Sequence, residues 1–402
     1  MTSPAAVSSA SPEDVVEEVA GEPFTVAETA SAVALGVLAL LISGLFGLLF
    51  SALAEEHRLS ASGIGLAAMV EALSTGLTTG LAGILLKPKG LRSISAVATL
   101  LVVAADLATT QASGSSVLLA RAAAGLPEGI LLWIAIGLIS RTVTPERWAA
   151  VLFTGMGLTQ LALASAVSAW ILPRFGANGG FVAVAGGMAL ALPLALFLPR
   201  SLGAAPGAGE GGVGAPPLRG WIALLGTLCF AAPPIAVSIY VVPLASEAGL
   251  GVAVGRTAIS VGLACQMLGG ALATVLAGRV RYIAIFWICT AAFLTAWTVY
   301  AIHAPAWLFV AMAGVAGLVA MLAGPFLLPM TVEADPSRRT TMQSGTVQLL
   351  AGAVGPLLAA MVVASAGPRG VIVASAGLLL VGLAVFTALH RSAVAERRRG
   401  GA

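Results

Sequence analysis

Residues 121–129 read RAAAGLPEG, between SSVLLA (115–120) and ILLWIAIGLIS (130–140). Apart from one arginine and one glutamate, everything from Val117 to Ile139 is apolar or small. A run of roughly 20 such residues is long enough to cross the hydrocarbon of a bilayer. A lone cation or carboxylate is expensive there and marks a functional position. Arg121 and Glu128 are seven apart, so on a helix they differ by about 20° in direction and about 10 Å in height. Both can therefore face one protein- or water-lined cavity and avoid lipid.

The rest of the chain has the same character. Of 402 residues, 59% are hydrophobic and 9% charged, with a mean hydropathy of +1.02, where a soluble domain carries about a quarter of its residues charged. The 48 glycines and 21 prolines suit membrane-embedded helices better than soluble ones. Cys229, Cys265 and Cys289 fall in apolar runs without metal-ligand spacing and read as small buried thiols. Residues 1–30 hold six acids and no Lys or Arg. That is the reverse of a signal peptide's basic start, so a disordered cytosolic tail is expected.

Apolar stretches of sufficient length lie near 31–53, 61–86, 92–112, 115–140, 148–171, 178–198, 220–244, 256–277, 282–302, 305–330, 341–364 and 370–390. These give an all-α polytopic membrane protein with twelve transmembrane helices. The segment 199–219, PRSLGAAPGAGEGGVGAPPLR, is a Gly/Pro-rich linker. It separates a six-helix bundle over 31–198 from a second over 220–390, followed by a basic tail, 391–402. Of the 20 Lys and Arg, Arg121 is within a span. Fifteen fall in connections on the side of the two termini, and four (Arg58, Arg174, Arg256, Arg369) on the other. By the positive-inside rule both termini are cytoplasmic, as in a multi-pass plasma-membrane protein of the bacterial inner-membrane type. Glu71 and Gln266 each stand twelve residues before the glycine of a Leu-Ala-Gly (81–83 and 276–278), an echo that suggests two parallel repeats.

Three acids lie within spans, Glu71, Asp106 and Glu128, against one base, Arg121. Glu128 and Glu71 fall near mid-depth. Pro127, Gly125 and Gly129 loosen the helix around Glu128 and allow close approach or hydration there, so Glu128 and Glu71 are candidate proton-coupling sites. Arg121 is expected to engage Asp106 in one state and to come under the influence of Glu128 in another, or else simply to tie helices together through Asp106. Gln160, Tyr240, Gln266, Trp297, Gln343 and Gln348 are the candidate substrate contacts, since amides donate and accept and aromatic faces add apolar or cation–π contact. No nucleotide loop, metal cluster or nucleophile–base pair occurs, so no enzyme, metal or cofactor is expected, and energy must come from an ion gradient.

LLARAAAGLPEG (118–129) resembles the span-four motif of the major facilitator superfamily, an arginine followed four residues later by glycine. GILLKPKGLRS (83–93) is similar to that family's loop between spans two and three. ADPSRRTTMQSG (334–345), leading into QLLAGAVGPLL (348–358), is similar to span eleven of its drug exporters, and the six-linker-six layout matches from about 31 to 390. The resemblance makes Arg121 the family's buried arginine and Gly83, Lys89, Gly90 and Arg92 a gating loop, although the loop's usual aspartate is missing. GMGLTQLALASA (155–166) also lacks the proline of the family's antiporters. The resemblance implies alternating access, which some members couple to protons, and three embedded acids against one base fit a proton-coupled version. An excess of embedded acid over base argues against a strongly anionic substrate and leaves a small neutral, amphipathic or cationic organic solute. The protein is expected to act as a monomer in the lipid bilayer without nucleic acid, with export favoured. Proton symport of a nutrient is the alternative, and a non-transporting sensor or scaffold the alternative of another class.

Overall fold

The computed structural model describes residues 24–400 apart from 88, 140, 143–144, 203–215, 277–278 and 336–338. Residues 1–23 of the expected acidic tail and most of the expected linker lie outside the described residues. The first helix, α1 (Val26–Ala39), starts ahead of the expected 31. Its start is fixed by a capping box: Glu28 N–H donates to Thr25 Oγ1 at 3.2 Å, and Thr25 N–H to the Glu28 carboxylate at 2.9 Å. A short 3₁₀ turn (Ile42–Leu45) then leads into α2 (Phe46–Glu55). After it come α3 (Ala61–Leu85), α4 (Leu91–Thr109), α5 (Ser115–Ile139) and α6 (Pro145–Ala166), which passes through a π-helical turn into α7 (Leu172–Ala189) and α8 (Ala191–Ala195). The second half begins with α9 (Leu218–Ile239) and α10 (Val241–Glu247), followed by α11 (Val252–Leu276) and α12 (Tyr282–Ala301). It ends with α13 (Ala306–Ala323), α14 (Leu327–Ala334) and α15 (Arg339–Gly400). The basic segment expected as a tail after 390 continues the last helix to Gly400.

Ten helical segments among the described residues are long and apolar enough to cross a bilayer. Eight match expected spans one to one. The other two, Val151–Ala195 with 45 residues and Thr346–Glu396 with 51, each cover two expected spans. A straight helix of 45 residues would be about 68 Å long, twice the hydrocarbon thickness. Each segment holds one glycine with non-helical backbone, Gly176 (φ 59°, ψ −160°) and Gly367 (φ 68°, ψ −180°), a region that glycine enters without steric cost. Directly after Gly176, the Ala177 N–H donates to Glu56 Oε1 at 2.7 Å, capping a fresh helix start.

Helices approach one another through glycines. Gly125 and Gly129 on α5 face the carbonyls of Glu71 and Thr75 on α3 so closely that a methyl at either would collide. Gly269 on α11 meets the carbonyl of Leu318, and Gly317 on α13 that of Gly262. Small residues at such contacts let membrane helices gain dispersion that larger side chains would prevent. Phe230, Phe286 and Phe386 pack α9, α12 and α15 together with ring centroids 4.6–5.5 Å apart. The outer surface is apolar too: Leu85, Trp170 and Trp307 are exposed by 72%, 67% and 70%, a distribution suited to lipid.

Candidate functional site

Four ionisable side chains meet where α3, α4 and α5 pack. Arg121 on α5 donates through Nη2 to Asp106 Oδ1 at 2.8 Å and through Nη1 to Glu71 Oε1 at 3.2 Å. Its guanidinium lies 5.2 Å from the centre of the Phe181 ring, a cation–π contact on a third side. Arg121, Asp106 and Glu71 are all buried. Asp106 Oδ2 and Arg121 Nε nevertheless have no partner among the described residues, an arrangement that structural ion pairs avoid, and the Glu71 carboxyl lies within hydrogen-bond reach of that of Glu128.

Glu128 stands beside this triad, and its charge interacts with Glu71, Asp106 and Arg121. The Thr75 hydroxyl lies 2.9 Å from the Glu71 carbonyl oxygen and 3.2 Å from Glu128 Oε2, and can donate to either. Pro127 precedes Glu128 inside α5. Its missing N–H leaves the carbonyl one turn earlier without its helical partner and gives the backbone latitude there.

Glu128 opens onto a cavity of about 410 Å³ between the two halves, within the range of small-molecule sites. Ser43, Thr75 and Gln160 line one wall, and Gln266, Phe293, Trp297 and Gln348 the other. Among the described lining residues Glu128 is the one charged side chain. Gln160 fixes the break in the first span: its Nε2 donates to Leu40 O at 2.7 Å and lies 3.0 Å from Ser43 Oγ. Gly44 makes room, because a methyl there would stand 2.5 Å from Gln160 Oε1.

Of the predicted residues, Glu128, Gln160, Gln266, Trp297 and Gln348 come together around the cavity. Arg121 does not reach it. The triad encloses the guanidinium, which corrects the expectation that both charges of RAAAGLPEG face one cavity. Tyr240 and Gln343 are also absent from its lining. Tyr240 is turned away because its hydroxyl bonds to the α3 backbone. The loop expected to gate makes its described contacts with the end of its own half and the start of the expected linker. Gly83 lies in α3 and Lys89 bridges to Ser201, while Gly90 N–H donates to Arg200 O at 2.8 Å and Arg92 Nε to Leu198 O at 2.7 Å. Sequence reasoning missed Thr75, although its place one turn after Glu71 puts it on the same face. It also missed Ser43 and Phe293, for which nothing local gave a signal.

At one end of the cavity, marked by Arg58, the halves are fastened together. Arg256 Nη2 meets Glu55 Oε2 at 2.9 Å, Tyr240 bonds to Ala61 and Gly65, and Gly47 packs against the backbone of Ser238 and Ile239. Towards the other end, Gly76 and Gly80 on α3 face open space. A second polar cluster lies at that end, where Tyr282, Glu333 and His390 bond to one another, with His390 Nδ1 2.9 Å from both partners.

No family model matches this sequence, and no curated protein matches it by sequence. Solved structures do match. An aspartate-to-alanine mutant of the nucleoside transporter NupG superposes with a TM-score of 0.68 at 14% identity, over 90% of this chain and 99% of that one. A bacterial homologue of the human lysosomal transporter Spinster, in an inward-facing and unoccupied conformation, gives a TM-score of 0.62 at 14% identity, over 92% and 96%. At such identity the likeness is one of fold, and the chain is an all-α polytopic membrane protein with the fold of major facilitator-like secondary transporters.

Proposed function

We propose that this protein is a proton-coupled secondary transporter that moves a small neutral, amphipathic or cationic organic solute by alternating access, with export favoured. The reading takes Gly176 and Gly367 as chain reversals, which turns ten helical segments into twelve spans in two bundles. It puts both termini in the cytoplasm and the Arg58 end outside, so the described conformation is closed to the outside. The observation that carries the proposal is Glu128. Among the described residues it is the one charged group on the cavity wall, and it lies beside a buried Glu71–Arg121–Asp106 triad in which Asp106 Oδ2 and Arg121 Nε have no described partner. A proton taken up from the cavity by Glu128 has Glu71 as its nearest buried neighbour of the same chemistry, and Thr75 can follow the exchange by choosing its acceptor. Each change of charge alters the cost of exposing the cavity to one side or the other, and this couples proton to solute.

The amides of Gln160, Gln266 and Gln348 and the indole of Trp297 also suit a flat polar solute taken up by proton symport. The likeness to a nucleoside transporter favours that second reading. Reconstituted protein should accumulate solute against its gradient when a pH difference is imposed. Glu128→Gln should abolish accumulation while leaving solute exchange. Full accumulation in both Glu128→Gln and Glu71→Gln excludes the coupling scheme. The sign of the pH difference that drives accumulation separates export by antiport from symport.

A further inference from the structure

In an uninterrupted α-helix the amide of residue 65 closes onto the carbonyl of residue 61. At the start of α3 a side chain from the other half takes part in that rung. Tyr240, at the break between α9 and α10, donates its hydroxyl to Ala61 O at 2.8 Å and accepts from Gly65 N–H at 3.1 Å. The phenol is wholly buried. Gly65 makes the insertion possible: a methyl there would stand 2.5 Å from the carbonyl of Pro356 and 3.0 Å from the Tyr240 hydroxyl. One glycine is therefore the meeting point of α3, the α9–α10 break and α15.

The same helix carries Glu71 and Thr75. Glu71 lies six residues beyond Gly65, about 9 Å along the axis, and Thr75 one turn further, within reach of Glu128. The contact that closes one end of the cavity and the candidate proton site thus hang on a single rigid element.

We infer that Tyr240 is a positioning residue that couples the gate at the Arg58 end to the proton site through α3. With the gate shut, its hydroxyl occupies the Ala61–Gly65 rung. With the gate open, the hydroxyl withdraws and the carbonyl and amide keep only the helical hydrogen bond between them. Both backbone groups are satisfied in both arrangements, so neither state carries the penalty of a buried orphan. Two discrete arrangements of one element, each favoured by a different state of the halves, are what transmission between distant sites requires. The inference rests on the alternating-access reading and adds the part that links its two ends.

The test uses full-length protein in nanodiscs, with the three native cysteines replaced and spin labels at Gln111 and Ser246, exposed positions near the Arg58 end of opposite halves. The open fraction is read from the distance distribution. The state of the proton site is read from the infrared carboxyl band that disappears in Glu128→Gln. Tyr240→Phe keeps the ring and removes the hydroxyl. It should raise the open fraction about 5- to 10-fold, the worth of one net hydrogen bond, and shift the carboxyl band. Gly65→Ala keeps the hydroxyl but crowds the junction, and should move both readouts the same way. A wild type that switches while Tyr240→Phe shows the same open fraction and band overturns the inference, even if that variant melts earlier. A wild type that holds one distance at every pH and solute concentration overturns the carrier reading as well.

Discussion

Arg121 shows how much one side chain settles here. Its planar fork spans carboxylates on two other helices, and a lysine's point charge cannot hold both in that geometry. Arg121→Ala would leave Glu71 and Asp106 buried without their cation, a loss of about 3–5 kcal/mol. Thermal melts should show it as the least stable of the triad variants, with transport lost. Arg121→Lys should melt between the alanine variant and wild type and transport at a reduced rate. Equal melting of alanine and wild type would mean that the bridge contributes nothing to the fold. The arginine and Glu128 were legible in the sequence because a charge inside an apolar run has few explanations. Glu71 as the second partner was not, since fifty positions separate it from Arg121 and the choice depends on how α3 packs on α5. The packing itself was half-visible in Gly125 and Gly129, whose expected allowance for close approach is met by the α3 carbonyls of Glu71 and Thr75.

Among the elements, the joined ends at Glu55 and Arg256 invite a charge exchange. The pair is partly exposed, so its strength is modest, but it fastens opposite halves. Glu55→Arg should favour the state open at the Arg58 end, and adding Arg256→Glu should restore the closed one. Labelling of a cysteine placed at Ser238, on the cavity wall, by an impermeant maleimide added from outside would register both steps. A double variant as reactive as the single one would show that the two charges do not act as a pair. The break in the first span was invisible beforehand. ISGL (42–45) has no proline, and the turn is held by Gln160, more than a hundred residues away. A helix interrupted by a distant side chain leaves no local mark, whereas the Thr25–Glu28 capping box was on the page as TVAE and still passed over.

The molecule as a whole repeats its devices. Its first span breaks at 42–45, and the first span of the second half breaks at Tyr240. Glycine contacts join α3 to α5 and again α11 to α13, and single glycines, Gly176 and Gly367, interrupt the long helical segment in each half. The long apolar segments were readable from hydropathy, because lipid demands apolar length; the non-helical backbone at Gly176 and Gly367 was not, although both glycines fall in expected connections. Deleting residues 1–23 leaves the Thr25–Glu28 cap intact, and a carrier so shortened should transport at the full rate in liposomes. A protein whose work was to dock a cytosolic partner would lose that partner instead. On the proposed reading of Gly176 and Gly367 as chain reversals, the two glycines also bear on biosynthesis. Between the arms of each pair there is almost no polar chain to carry across the bilayer, little beyond Arg174 and Asn178 in one and Arg369 in the other. Neither arm has a loop to anchor it while the other is still being made. Each pair is therefore suited to leave the ribosome and enter lipid as a preformed hairpin, and a pause between its arms would strand an unpartnered helix, exposed to the cell's quality control.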